Sequence, residues 1–183
     1  RVPVTGAVDR ATTYGVGELI GHVVDAGARR VVIGLGGSGT TDGGAGMLAA
    51  LGAAATPDDA LTGGFRSLAT VEMVDLTAAR KRIDGVELIA AADVENPLLG
   101  LRGAANVFGP QKGLTSDEAR LAADAALTRW DDLVDRRTAD HKGAGAGGGL
   151  GYGVLVLGGR REPGFSTVAD AVGLQAEVAA ADL

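Results

Sequence analysis

The chain has 183 residues, 46% of them apolar, which excludes wholesale disorder and allows a sizeable core. A formal net charge of −6 argues against a general polyanion-binding surface, hence against nucleic acid as a partner, and the lack of cysteine excludes disulfides, thiolate metal sites and a cysteine nucleophile together. With 31 glycines and only 3% aromatic residues, the core must be built from Ala, Val, Leu and Ile around close backbone approaches, which is α/β rather than β-sandwich composition.

In chain order, residues 15–26 place Leu19, Ile20, Val23 and Val24 on one helical stripe, with Gly27 as the stop. Residues 31–35 form a continuous apolar run that predicts a buried strand, and 43–53 are apolar nearly all round, which predicts a buried helix. After a surface loop at 56–64, residues 68–75 and 86–92 read as two further strands separated by a basic turn, Arg80, Lys81 and Arg82. The Gly- and Pro-containing stretch 96–113 reads as a long functional loop around a short helix. Thr115 with Glu118 fits a capping box, opening a helix whose stripe is Ala119, Ala122, Ala123, Ala126, Trp130, Leu133 and Val134, with Arg136 and Arg137 favouring its C-terminus. Residues 143–157 read as a tightly packed helix whose glycines allow close backbone contact. The alternation predicts an α/β fold with a mostly parallel or mixed sheet flanked by helices. No run reaches the length of a membrane span and no charged-then-apolar leader opens the chain, so a cytoplasmic protein without a membrane partner is expected. Arg1 in first place and the uncapped apolar run 178–183, ending at Leu183, make both ends look cut.

Chemistry concentrates in residues 31–51, VVIGLGGSGTTDGGAGMLAAL, where a strand runs through a glycine-rich loop into a helix. Clustered glycine N–H groups near a helix N-terminus form an anion site. Ser38, Thr40 and Thr41 add hydroxyl donors, and Asp42 adds a carboxylate able to hold Mg2+. Gly34, Gly36 and Gly39 satisfy a dinucleotide fingerprint, but the helix starts too late and Asp58 and Asp59 lie in a polar loop instead of ending a strand. No Walker pattern occurs. Asp93 follows the strand at 86–92 and precedes Asn96 and Pro97, which disfavours an ordinary cap and favours a general base or metal ligand. Lys112, in the constrained loop FGPQKG, suits a point charge aimed at a phosphoryl group, and Arg102 is a second candidate cation. His22 and His141 lack metal-ligand neighbours, and Ser38 has no evident His partner, so a Ser-His-Asp hydrolase is unsupported. Loops 36–42 and 93–96, each following a strand, are expected on one edge of the fold.

Four blocks in these regions closely resemble the bacterial-type glycerate kinase family: ATTYGVGEL from Ala11, IGLGGSGTTDGGAGMLAALG from Ile33, ADVENPLLGLRGAANVFGPQKG from Ala92 and GAGAGGGLGYG from Gly143. They span nearly the whole chain in the family's order. Gly39 and Thr41 stand where Ala and Asn are common in the family, and neither change deletes a charge. The resemblance implies ATP-dependent phosphorylation of D-glycerate to 2-phosphoglycerate with Mg2+, in a two-domain α/β enzyme whose active site lies between the domains. It also implies that residues 1–183 are the central part of such a kinase, mainly one α/β domain. Little activity on its own and an exposed apolar patch are then expected. In that frame Gly36, Gly37, Ser38, Gly39, Thr40, Thr41 and Asn96 bind glycerate or phosphate oxygens. Asp42 or Asp93 holds Mg2+ or orients the acceptor hydroxyl, and Lys112 with Arg102 meets transition-state charge. The competing readings are a non-catalytic anion-binding α/β domain and a dinucleotide-binding domain.

Overall fold

A computed structural model describes residues 8–181; Arg1 and the last two residues of the apolar run at 178–183 lie outside them. Helix α1 (Tyr14–Asp25) closes at Gly27, whose φ of +96° lets the Ala28 N–H return to the Val23 carbonyl. Its buried side is Gly17, Ile20 and Gly21, whereas Leu19 and Val23 face solvent, contrary to the predicted stripe. A Cβ on Gly17 would overlap the Met47 carbonyl oxygen. The small residues of α1, rather than its large ones, therefore lie on helix α2 (Ala45–Ala50).

The strands are β1 (Arg30–Gly34), β2 (Ala54–Thr56), β3 (Met73–Asp75), β4 (Glu87–Ala91) and β5 (Arg160–Glu162). β1, β4 and β5 form a parallel sheet in the order β1-β4-β5, with Val32 opposite Ile89 and Ile89 opposite Arg160. β4, in the centre, is buried from Leu88 to Ala91. β1 is an edge strand with Val32 46% exposed and only Ile33 buried, so the expectation of a buried strand fails. An apolar run carries no information about strand order, and order decided the matter here.

Helices flank this sheet, giving the expected α/β class. Between β1 and β4 the strands β2 and β3 form a separate antiparallel pair. The strand expected over 68–75 is confined to β3. Phe65 and Leu68, three residues apart and both buried, instead belong to a helical turn, α3 (Phe65–Leu68). The expected basic turn is helix α4 (Thr77–Arg82), whose three cations sit in its last turn, where the helix dipole favours them. The 96–113 stretch contains α5 (Ala104–Phe108) and a 3-10 turn at Pro110–Lys112.

Helix α6 (Asp117–Val134) is capped one residue later than expected: Ser116 Oγ accepts the Ala119 N–H at 3.1 Å. Ser116→Ala is expected to cost about 1 kcal/mol in a urea titration, while Thr115→Ala should be silent. The buried stripe of α6 is Ala123, Ala126, Leu127, Trp130 and Asp131; Ala122 and Leu133 are exposed, and Arg136 and Arg137 fall beyond its end. Trp130 packs into the core and donates to the Gly43 carbonyl at 3.1 Å. In α7 (Ala146–Val156) the expected regular helix is broken at its start, because Gly147, Gly148 and Gly149 have φ of 65°, 74° and 92°. Helices α8 (Gly164–Ala171) and α9 (Leu174–Ala180), with Val172 between them, expose Phe165, Val168, Val172 and Val178. Among the described residues no helix is long and apolar enough to cross a membrane.

Candidate functional site

Parallel pairing of β1 with β4 puts Gly34 level with Ala91, so the chain leaves both strands on one edge of the sheet. There it encloses a cavity of about 300 Å3. Gly36, Gly37 and Ser38 come from the loop after β1, and Asp93 from the loop after β4. Gln111 and Lys112 come from the 3-10 turn, and Gly147 from the start of α7. The two loops expected on one edge thus meet in one cavity, but not through every residue they carry.

Lys112 is 5% exposed, and its ammonium donates to the Thr40 carbonyl at 2.6 Å. Burial pushes its pKa down to about 8, with the charge of Asp42 pulling the other way. Gly148 lies on the other side of this contact. A Cβ there would overlap the Thr40 carbonyl oxygen and come within 2.7 Å of Lys112 Nζ, so only glycine fits, in a left-handed conformation that also favours it. The Gly43 N–H donating to the Gly148 carbonyl at 3.0 Å ties the two glycine runs together.

Asp93 is exposed on the cavity wall, and its Oδ1 accepts the Gly164 N–H at 2.9 Å at the start of α8. It does cap a helix, though one 71 residues away instead of its own. Oδ2 has no intramolecular donor among the described residues.

Asp42 lies behind the cavity wall with no exposed surface. Its Oδ2 accepts the Thr13 N–H at 2.7 Å, the Thr13 hydroxyl at 2.8 Å, the Gly46 N–H at 3.2 Å and the Thr12 hydroxyl at 3.3 Å; Oδ1 accepts the Gly44 N–H at 3.2 Å. Burial pushes this carboxyl above its ordinary range, while the bonds from Thr13, Gly46 and Gly44 hold it down. A side chain so enclosed fastens α1 to α2 and presents nothing to a cation in the cavity.

The other residues picked out in sequence divide similarly. Thr40 contributes its carbonyl to Lys112, and its hydroxyl faces the Gly147 carbonyl at 3.4 Å. Thr41 is fully buried and its hydroxyl has no partner among the described residues. Gly39 is not on the cavity wall. Asn96 Nδ2 donates to the Arg102 carbonyl at 2.8 Å, a loop-closing role, and the exposed Arg102 lies off the cavity. Sequence reasoning passed over Gln111, Gly147 and Gly148, though all lie inside the quoted blocks. A glycine run directly before an aliphatic helix was the available signal for the last two.

The model of the glycerate kinase family matches residues 3–183. Among curated proteins, the chain is similar to a glycerate kinase of Bacillus subtilis (strain 168), with 41% identity over 179 residues, covering 94% of this chain and 47% of that protein. It is also similar to a glycerate 2-kinase of Escherichia coli (strain K12), with 36% identity over 174 residues, covering 91% and 45%. Among solved structures, that of a glycerate kinase 2 from Salmonella typhimurium LT2 superposes with a TM-score of 0.86 at 41% identity, over 96% of this chain and 49% of that one. The chain spans about half the length of the curated relatives it matches.

Proposed function

Since the chain belongs to the glycerate kinase family, we propose that this protein transfers a phosphoryl group from ATP to D-glycerate. The relative named glycerate 2-kinase supports 2-phosphoglycerate as the product. The observation that carries the reading is that a carboxylate, Asp93, and a buried ammonium, Lys112, share one glycine-lined cavity at the carboxyl ends of β1 and β4. Phosphoryl transfer asks for little more than positioning and charge stabilisation, and those two groups supply its two polarities.

In this mechanism the free Oδ2 of Asp93 orients the acceptor hydroxyl and takes its proton. Lys112 lies where charge develops on the transferring oxygens, and Gly36, Gly37 and Ser38 offer N–H and hydroxyl donors to the same oxyanions. The volume of about 300 Å3 is at the low end for ligand sites and suits a small hydroxy acid better than a whole nucleotide. Among the described residues no group of three His, Asp or Glu side chains could hold a metal. Of the two carboxylates, Asp93, on the cavity wall, is the one that would meet a Mg2+ ion there, since Asp42 is enclosed. When bound, the ion would supply positive charge that offsets the charge developing on the transferring phosphoryl group. Asp42, Asn96 and Arg102 are assigned to holding the fold and the loops rather than to the reacting atoms.

The test is a coupled assay with D-glycerate and Mg-ATP, run on residues 1–183 and on a chain of the relatives' full length. Turnover by the longer chain is expected, with Asp93→Asn lowering kcat by at least about a hundredfold. The asparagine keeps an oxygen for the Gly164 N–H, so the melting temperature should move little. An unchanged kcat with a lowered melting temperature would reduce Asp93 to a helix cap.

A further inference from the structure

Lys112 is a buried cation. Among the described residues its one hydrogen-bond partner is the neutral Thr40 carbonyl and no carboxylate pairs with it. An ammonium has three N–H donors, so two remain for whatever enters the cavity. Two carboxylates bear on it: Asp42, whose enclosed charge favours the ammonium from behind the cavity wall, and Asp93, which lines the same cavity at the end of β4. The remaining polar neighbours, Ser38 and Gln111, are neutral, and the α7 side contributes only Ala146 and glycine. A buried cation without a counter-ion either loses its proton or acquires an anion.

We propose that a small oxyanion entering this cavity is bound together with a proton, which Lys112 takes up. The inference rests on the reading of the cavity as the oxyanion end of the site. Its ligand class is a carboxylate or a phosphoryl-like oxyanion small enough for about 300 Å3. With the cavity empty, burial holds the amine's pKa near 8; an adjacent anion favours the charged form and raises it. Binding therefore consumes protons, and affinity is highest below the empty-state pKa and lost as the pH rises through it. The expected uptake is roughly half a proton per anion at pH 8, and affinity should fall about tenfold between pH 7 and pH 9.

Calorimetric titration of the 183-residue chain at pH 8, in buffers of different ionisation enthalpy, measures the uptake directly. D-glycerate is the probe in one arm and sulfate in the other, because neither anion titrates in this range. Saturable binding with proton uptake in either arm is the expected result, and the arm that responds says which oxyanion the cavity takes. Lys112→Arg, whose guanidinium keeps its charge, should bind without uptake and with a flat pH profile. Lys112→Met should not bind, and if that variant fails to fold by circular dichroism, the wild-type and arginine results decide. Binding with no uptake, uptake that persists in Lys112→Arg, or no saturable binding of either anion would overturn the proposal. Absence of glycerate turnover with the uptake intact removes the kinase reading alone, and turnover without uptake removes only this one.

Discussion

Gly148→Ala is expected to destabilise the chain by about 2–5 kcal/mol and to abolish anion binding in the cavity. Two costs add. A side chain at φ +74° is strained by about 1–2 kcal/mol, and the new Cβ would overlap the Thr40 carbonyl oxygen while crowding Lys112 Nζ at 2.7 Å. The Thr40 carbonyl is backbone and cannot give way, and Lys112 can yield only by leaving that carbonyl, its bonding partner. Gly173→Ala is the control. Its φ is +68° with nothing near the position of a new Cβ, so it should cost about 1 kcal/mol. Urea titrations of both variants check the difference, and equal losses would show that strain alone, without the close approach, accounts for Gly148.

Asp42→Ala should be similarly severe, at about 3–5 kcal/mol, because it leaves buried N–H groups of Thr13, Gly44 and Gly46 without an acceptor. Asp42→Asn should cost less. Its amide can keep an oxygen on the side where four donors converge, so only the Gly44 N–H loses its acceptor, to an amide nitrogen that cannot accept. The comparison also separates folding from chemistry in the complete protein. If Asp42 held Mg2+, Asn would remove most of kcat at little cost in stability, whereas the enclosed carboxylate predicts a kcat that follows the folded fraction.

Local pattern located the two strands that carry the cavity loops. The apolar run before GLGGSG became β1, the run before Asp93 became β4, and their parallel pairing brought Gly36 to Ser38 and Asp93 into one cavity. What the pattern could not carry was direction. Asp42 sits among small polar residues whether its side chain turns outward to a ligand or inward to Thr13, and Thr13 is 29 residues away in sequence. Lys112 was legible as a cation held in a constrained loop, but its burial was not, because its partner lies 72 residues away. The glycines at 147–149 were compatible with a tight helix or with the left-handed turn they adopt. Only the neighbouring Thr40 loop, invisible to local periodicity, distinguishes the two. The cap moved by one residue because Thr115 and Ser116 are both hydroxyl residues beside the same helix.

The meeting of Thr40, Lys112 and Gly148 has a consequence for the order in which the molecule matures. No hairpin, helix pair or other early-forming unit contains all three, since the first two alone are 72 residues apart. Such distant closures pay their loop entropy last. The cavity is thus a late product of folding, and a partly folded chain rich in helix would still lack it. An intermediate with most of its secondary structure would be blind to the ligand, so ligand capture could serve as a clock for the final step of assembly.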